Sequence, residues 1–270
     1  MVFSINDIRE ITSTISIYND MDYSNYVISF LKRRFSKIYD LFNIKRNVQF
    51  YELLKNDALR DKVIGEMFVD TSEMFRDPSF WQFIRDEVLI NISKIGTTVW
   101  LPNETGNATY SLAIILHEQR LEKEITVLCN NPSEYRCRNI INGIFDAEQF
   151  DYNLDNYNRL EKNNLFEFYF SKENNTHLIS SEIRKIIKCE QVSYDKAVED
   201  EKVAMIISRN QSLYYNHRLS ELYFETLFQK LKPGGFLAIG IKEYLPESVA
   251  NKMTIVNETE KIYKKPLIIV

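Results

Sequence analysis

Glycine is scarce in this 270-residue chain: there are seven, and only Gly106 falls between Trp100 and Cys129. A loop that cradles a nucleotide through its backbone normally has two or three glycines there, so close backbone approach to a cofactor is poorly provided for. Cysteine is equally sparse. Cys129, Cys137 and Cys189 are odd in number and lack CxxC spacing, and His117, His177 and His217 lie far apart, so neither a disulfide framework nor a metal motif is indicated. No apolar run approaches the roughly 20 residues that span a bilayer, and the first residues lack a charged leader followed by an apolar segment. These absences predict a cytoplasmic protein of a reducing compartment with no membrane insertion. A net charge of −4 and a pI near 5.6 provide no global basic field, which argues against nucleic acid as a partner.

What the chain does have is core-forming material, with 44% hydrophobic and 13% aromatic residues. Tyr26, Ile28, Phe30, Leu31, Phe35, Ile38, Leu41 and Phe42 recur at helical spacing, and residues 1–92 read as an N-terminal helical domain. From residue 97 short apolar runs alternate with helical stretches. The pattern predicts a strand at 97–101, a helix at 107–121, a strand at 124–129, and a helix at 132–142 with Pro132 in its first turn. Strand-like runs at 166–170 and 177–189 flank a turn at 172–176 and predict a small β insertion at about 150–192. The alternation then resumes with a strand at 203–208, a helix at 216–231, a strand at 236–241 and an antiparallel pair at 253–256 and 262–270. Leu231-Lys232-Pro233-Gly234-Gly235 reads as a helix stopped by proline and reversed through two glycines into a buried strand. Alternation of this kind makes 93–270 an α/β domain with a largely parallel sheet.

Five segments carry a resemblance. They are Phe30-Leu31-Lys32-Arg33-Arg34-Phe35; Asp70-Thr71-Ser72-Glu73-Met74-Phe75-Arg76-Asp77; Val99-Trp100-Leu101-Pro102-Asn103-Glu104-Thr105-Gly106-Asn107-Ala108-Thr109-Tyr110-Ser111; Ile207-Ser208-Arg209-Asn210-Gln211-Ser212-Leu213-Tyr214-Tyr215; and the Leu231 hinge followed by Gly240-Ile241-Lys242-Glu243. In this order they resemble the chemotaxis-receptor glutamate methyltransferases, the CheR family. The resemblance implies a class I S-adenosylmethionine (SAM) methyltransferase fold, a Rossmann-like mixed sheet with an N-terminal helical domain and a small β insertion. It also implies SAM as cofactor without a metal, and an acidic helical partner of the chemoreceptor kind. By position it places Asp70, Ser72, Thr105, Gly106, Asn107, Asn131, Arg209 and Asn210 at the cofactor and Arg76 and Tyr214 at the reacting groups. Lys32, Arg33 and Arg34 fall on the partner-binding helix.

The same resemblance exposes departures. Asn107 and Ala108 stand where the family has two glutamates, and Asn131 stands where an aspartate accepts from the ribose; a neutral amide accepts less strongly than a carboxylate. Ile92 falls where the family carries a second arginine, the nearest arginine being Arg85. The short, glycine-free 172–176 turn does not match the longer loop that captures a receptor tail by strand addition. Structural roles compete throughout: Tyr214 as packing, Lys32 to Arg34 as a solvated face, Gly106 as an ordinary turn, His117 as a boundary residue. Besides a scaffold that docks on an acidic helical partner through the helical domain and its basic helix, two functions stay open. One is a degenerate, weak or inactive member acting as a binding or regulatory module in chemotaxis-type signalling. The other is an active SAM-dependent protein-glutamate O-methyltransferase.

Overall fold

The computed structural model describes residues 3–18, 21–69, 73–92, 94–161, 165–173, 176–198 and 203–267. The chain opens with helices α1 (Ile5–Ser16), α2 (Ile28–Leu41), α3 (Asn47–Leu54) and α4 (Asp57–Glu66). Ser4 starts α1 through a capping box with Asp7, and Ile8, Ile11 and Ile15 turn one face inward at helical spacing. Pro78 sits in the first turn of α5 (Pro78–Phe83), which continues through a π turn at Ile84–Val88 into α6 (Leu89–Ile92).

Strand β1 (Thr98–Leu101) and helix α7 (Asn107–Glu118) follow, then β2 (Thr126–Asn130), α8 (Glu134–Ile141) and α9 (Phe150–Asn158). Next come β3 (Phe170–Glu173), β4 (Thr176–Ile179), α10 (Ser181–Arg184), β5 (Ile187–Glu190), β6 (Val203–Ser208), α11 (His217–Lys230), β7 (Leu231–Ile239), α12 (Glu247–Ala250), β8 (Thr254–Asn257) and β9 (Ile262–Lys264). One seven-stranded sheet has the order β5-β2-β1-β6-β7-β9-β8, with β9 and β8 antiparallel at one end and the other five strands parallel.

Pleating divides the strands between two cores. Val99, Leu101, Val127, Cys129, Met205 and Ile207 pack with α5 to α7, whereas Trp100, Leu128, Ile206, Leu237 and Ile239 pack with α1 to α4 and α11. The helical N-terminal region therefore splits: α1 to α4 join one face of the sheet and α5 and α6 the other.

Several sequence expectations shift. Helix α8 begins at Glu134 because the Ser133 hydroxyl accepts from the Arg136 N–H, which leaves Pro132 ahead of the cap rather than inside the helix. Residues 166–169 form a 3₁₀ turn, and Ile187–Glu190, expected in the β insertion, ladders beside β2 as the edge of the main sheet. Outside that sheet the 150–192 segment holds α9, α10 and the β3–β4 hairpin. The proline-glycine hinge is not a reversal before the strand. Leu231 is already extended and pairs with Val203, the ladder slips, and pairing resumes at Phe236 opposite Met205. Gly234 at φ +79° makes the slip, and a Cβ on Gly235 would lie 2.8 Å from the Lys232 carbonyl oxygen.

Candidate functional site

Strand order reverses between β1 and β6, so the turns after β1, β2 and β6 surround the crevice where an open α/β sheet takes its ligand. After β1 the chain passes through Asn103 at φ +53° and Gly106 at φ +132° into α7. A side chain on Gly106 would be strained and would press on the Tyr110 ring at 3.1 Å, so glycine is required by backbone and space together. Buried Glu104 bends back into the start of α7. Its Oε2 accepts from the Gly106 N–H (3.2 Å), the Thr109 N–H (3.3 Å) and the Thr109 hydroxyl (3.1 Å), satisfying donors that the first helical turn leaves open.

The β2 turn is stitched to this one. Asn131 is fully buried; its Nδ2 donates to the Glu104 carbonyl at 2.9 Å and its Oδ1 accepts from the Ser133 N–H at 3.0 Å. Asn130 accepts from the Trp100 indole at 2.9 Å and donates to the Val192 carbonyl at 2.9 Å. Helix α4 then closes over the start of α8. The Asp61 carboxylate accepts from the N–H groups of Glu134 (2.9 Å) and Tyr135 (2.6 Å), and Arg136 reaches the Gly65 carbonyl (3.0 Å) and the Glu66 carboxylate (2.8 Å). Gly65 permits the approach, since a Cβ there would lie 2.8 Å from Ser133 Oγ.

After β6 the site is knitted by Glu243. One oxygen of this buried carboxylate accepts from the N–H groups of Asn210 (2.7 Å) and Gly240 (2.5 Å), the other from the N–H and hydroxyl of Ser212 (2.7 and 2.8 Å). Asn210 adopts φ +62°. Arg209 is turned away from solvent: its guanidinium pairs with Asp77 at 2.5 Å and lies 4.0 Å over the Phe80 ring. Burial lowers its pKa, while Asp77 opposes the shift.

Residues 70–262 match the family described as CheR methyltransferase, SAM binding domain. The chain belongs to this family. A protein named Cher3 from Pseudomonas putida is 22% identical over 272 aligned positions, covering 96% of both chains. A chemotaxis protein methyltransferase of Listeria innocua is 22% identical over 242 positions, covering 88% of this chain and 86% of that protein. Among solved structures, the N-methyltransferase NodS from Bradyrhizobium japonicum is 9% identical, covers 71% of this chain and 97% of its own, and has a TM-score of 0.37. The α/β architecture is that of a class I SAM methyltransferase.

The turns after β1, β2 and β6 carry Thr105, Gly106 and Asn107, Asn131, and Arg209 and Asn210, the positions expected at the cofactor. Asn131, expected at the ribose, has its amide nitrogen on the Glu104 carbonyl and its amide oxygen on the Ser133 N–H. Arg209 is held by Asp77, and the acid of the β1 turn, Glu104, faces α7. Asp70 and Ser72 lie outside the described residues.

Of the two groups expected at the reaction centre, Arg76 is exposed and its carbonyl accepts from Trp81 Nε1 at 3.0 Å. Tyr214 stacks on Phe30 with ring centroids 4.4 Å apart, and its carbonyl accepts from the Val27 N–H at 2.8 Å. Ile92 is fully buried in the core, and Arg85 pairs with Asp86 at 2.5 Å and donates to the Leu160 carbonyl, so neither supplies a cation to the crevice.

The basic helix also divides. Arg33 is exposed and Lys32 half-buried, but Arg34 is buried, donates to the Phe68 carbonyl at 2.6 Å and cannot belong to an open basic face. Among the described residues no group of His, Cys, Asp and Glu is arranged to hold a metal, and no helix is long and apolar enough to cross a membrane.

Sequence reading missed Asn103 and Glu104. The only signal was their position in the turn before Gly106, where an acid precedes the glycine instead of following it. Asn103 is fully buried, and neither its amide nitrogen nor its oxygen has a hydrogen-bond partner among the described residues.

Proposed function

We propose that this CheR-family chain is a degenerate methyltransferase with weak or no transfer activity, acting as a binding or regulatory module in chemotaxis-type signalling. The observation that carries this reading is Asn131. At the position where a carboxylate would take the ribose hydroxyls stands a neutral amide, fully buried, with its donor on the Glu104 carbonyl and its acceptor on the Ser133 N–H. Freeing either end to meet a ligand leaves a buried backbone group unpaired, at a cost of about 1–3 kcal/mol before any gain from the ligand. Exposed Arg33 of α2, with half-buried Lys32 beside it, would provide the surface for an acidic helical partner. Isothermal titration with S-adenosylhomocysteine should give no saturable heat, and binding in the micromolar range would overturn the proposal.

One observation favours the competing reading, an active SAM-dependent protein-glutamate O-methyltransferase. The amide of Asn103 is sealed beside the Gly106 turn without a protein partner, and a buried polar group in that state calls for a ligand or water. A receptor carboxylate is already nucleophilic, so such an enzyme would need positioning and desolvation rather than a general base. Transfer of a labelled methyl group to chemoreceptors from the same genome would establish this reading, and unlabelled receptor with intact donor would remove it.

A further inference from the structure

The three cysteines, far apart in sequence, meet at one place. Cys129 on β2 and Cys189 on β5 are direct partners across a parallel pair, so their side chains leave the same face of the sheet about one strand spacing apart, roughly 4.8 Å. Helix α8 crosses that face. Its Cys137 thiol donates to the carbonyls of Asn131 at 3.3 Å and Glu190 at 3.5 Å, two residues beyond Cys129 and one beyond Cys189, and also faces the Cys189 sulfur. Cys129 donates to the Lys188 carbonyl at 3.5 Å and is fully buried, and Cys137 is 7% exposed. Cys189 is half-buried because β5 is an edge strand.

We propose that they form an oxidation site in which Cys189 reacts first with a hydroperoxide and then closes a disulfide with Cys137. In the first step the Cys189 thiolate attacks the peroxide, a sulfur–oxygen bond forms, the oxygen–oxygen bond breaks, and the alcohol or water leaves with a proton, giving a sulfenic acid. In the second step the Cys137 sulfur displaces hydroxide from that sulfenic acid, and with one proton this leaves as water. The sum converts two thiols and one hydroperoxide into a disulfide, an alcohol and water.

Geometry selects the pair. Cys189 is the most exposed residue of the three. Cys129 is pinned by ladders on both sides, to β1 and to β5, whereas an edge strand and a helix can adjust to the narrow range of separations a disulfide accepts. The bridge would also take the Cys137 thiol away from the Asn131 carbonyl, at the end of β2.

Reactivity is restrained. The Cys137 thiol is pushed up by its contact with Cys189, by burial and by Asp61 on α4. Cys189 is pushed up by Cys129, burial and Glu104, although its contact with Cys137 works in the other direction and favours the Cys189 thiolate. Thiolate is therefore scarce at neutral pH, and oxidation should be slow there and faster in mild alkali.

The test is exposure of the full chain to hydrogen peroxide at mildly alkaline pH, followed by thiol titration under denaturing conditions and mapping of unreduced peptides. Reactive thiols should fall from three to one, with the peptides of Cys137 and Cys189 linked. Cys189→Ser should abolish the link, and Cys129→Ala should keep it. Because Cys129 is buried, circular dichroism accompanies that variant, while the linked peptide from the unsubstituted chain is decisive without it. Three intact thiols after prolonged oxidant, sulfinic acid at Cys189 without a bridge, a bridge that includes Cys129, or a bridge between two chains would each overturn the assignment.

Discussion

The N-terminal helices meet the sheet domain at two seams built from opposite chemistry. At the end of β2 the seam is ionic: Asp61 caps α8 from outside, and Glu66 and Arg136 face each other with side chains only 10% and 11% exposed. At the end of β6 it is aromatic: Phe30 stacks on Tyr214, Tyr26 meets Tyr215 edge-on at 5.1 Å, and Tyr215 leans on Tyr223 at 5.2 Å. Two backbone bonds, Val27 to Tyr214 and Asn216 to Asn25, set its register. Ring faces tolerate small displacements, whereas a buried ion pair tolerates little. The β2 end is thus the more firmly closed of the two.

Breaking the ionic seam should have the largest effect. Arg136→Ala strands Glu66 in a mostly buried position, and Lys37 at 3.1 Å, itself half-exposed, compensates only in part. The loss should be about 3–5 kcal/mol, read as a lower urea midpoint with unchanged slope. A loss below about 1 kcal/mol would show that the seam is solvated. Removing the ring at the other seam should cost somewhat less: Phe30→Ala, about 3 kcal/mol from lost burial and stacking. Phe30→Tyr, which keeps the stack on Tyr214, should recover most of it.

The smallest effect at neutral pH, and the sharpest distinction between the seams, comes from alkali. Burial raises the phenol pKa of Tyr26, Tyr215 and Tyr223 well above 10, and burial with Asp195 pushes Tyr194 up to about 12. The unfolded chain loses these protons first, so their contribution is whole below about pH 10 and declines as pH rises from there toward the native values. Alkaline titration followed by tyrosinate absorbance should show a late, cooperative rise coincident with unfolding. Tyr215→Phe should delay it. A gradual rise before unfolding would mean that the aromatic seam is open to solvent.

Periodicity made the elements legible. The short apolar run Val99, Trp100 and Leu101 and the longer one of β6 needed only local preference and burial, so the parallel core was readable without coordinates. The Ser133 cap was present in the sequence but overshadowed by Pro132. The ladder that takes Ile187–Glu190 into the main sheet was not readable, because a four-residue strand carries no signal of its partner. At the site, Gly106 and Asn131 were found by position. What Asn131 does there depends on the Glu104 carbonyl, which arrives from a different turn.

Residue order alone determined that this chain forms an α/β sheet of the CheR family, since hydrophobic spacing and the segments around Gly106, Arg209 and Gly240 are local facts. The folded molecule decided which polar groups face one another. Asn131 is satisfied, Arg209 paired, Arg34 buried, and three distant cysteines adjacent. Hydrogen bonds and ion pairs act over a few ångströms, and only packing brings residues so far apart in the chain to that distance.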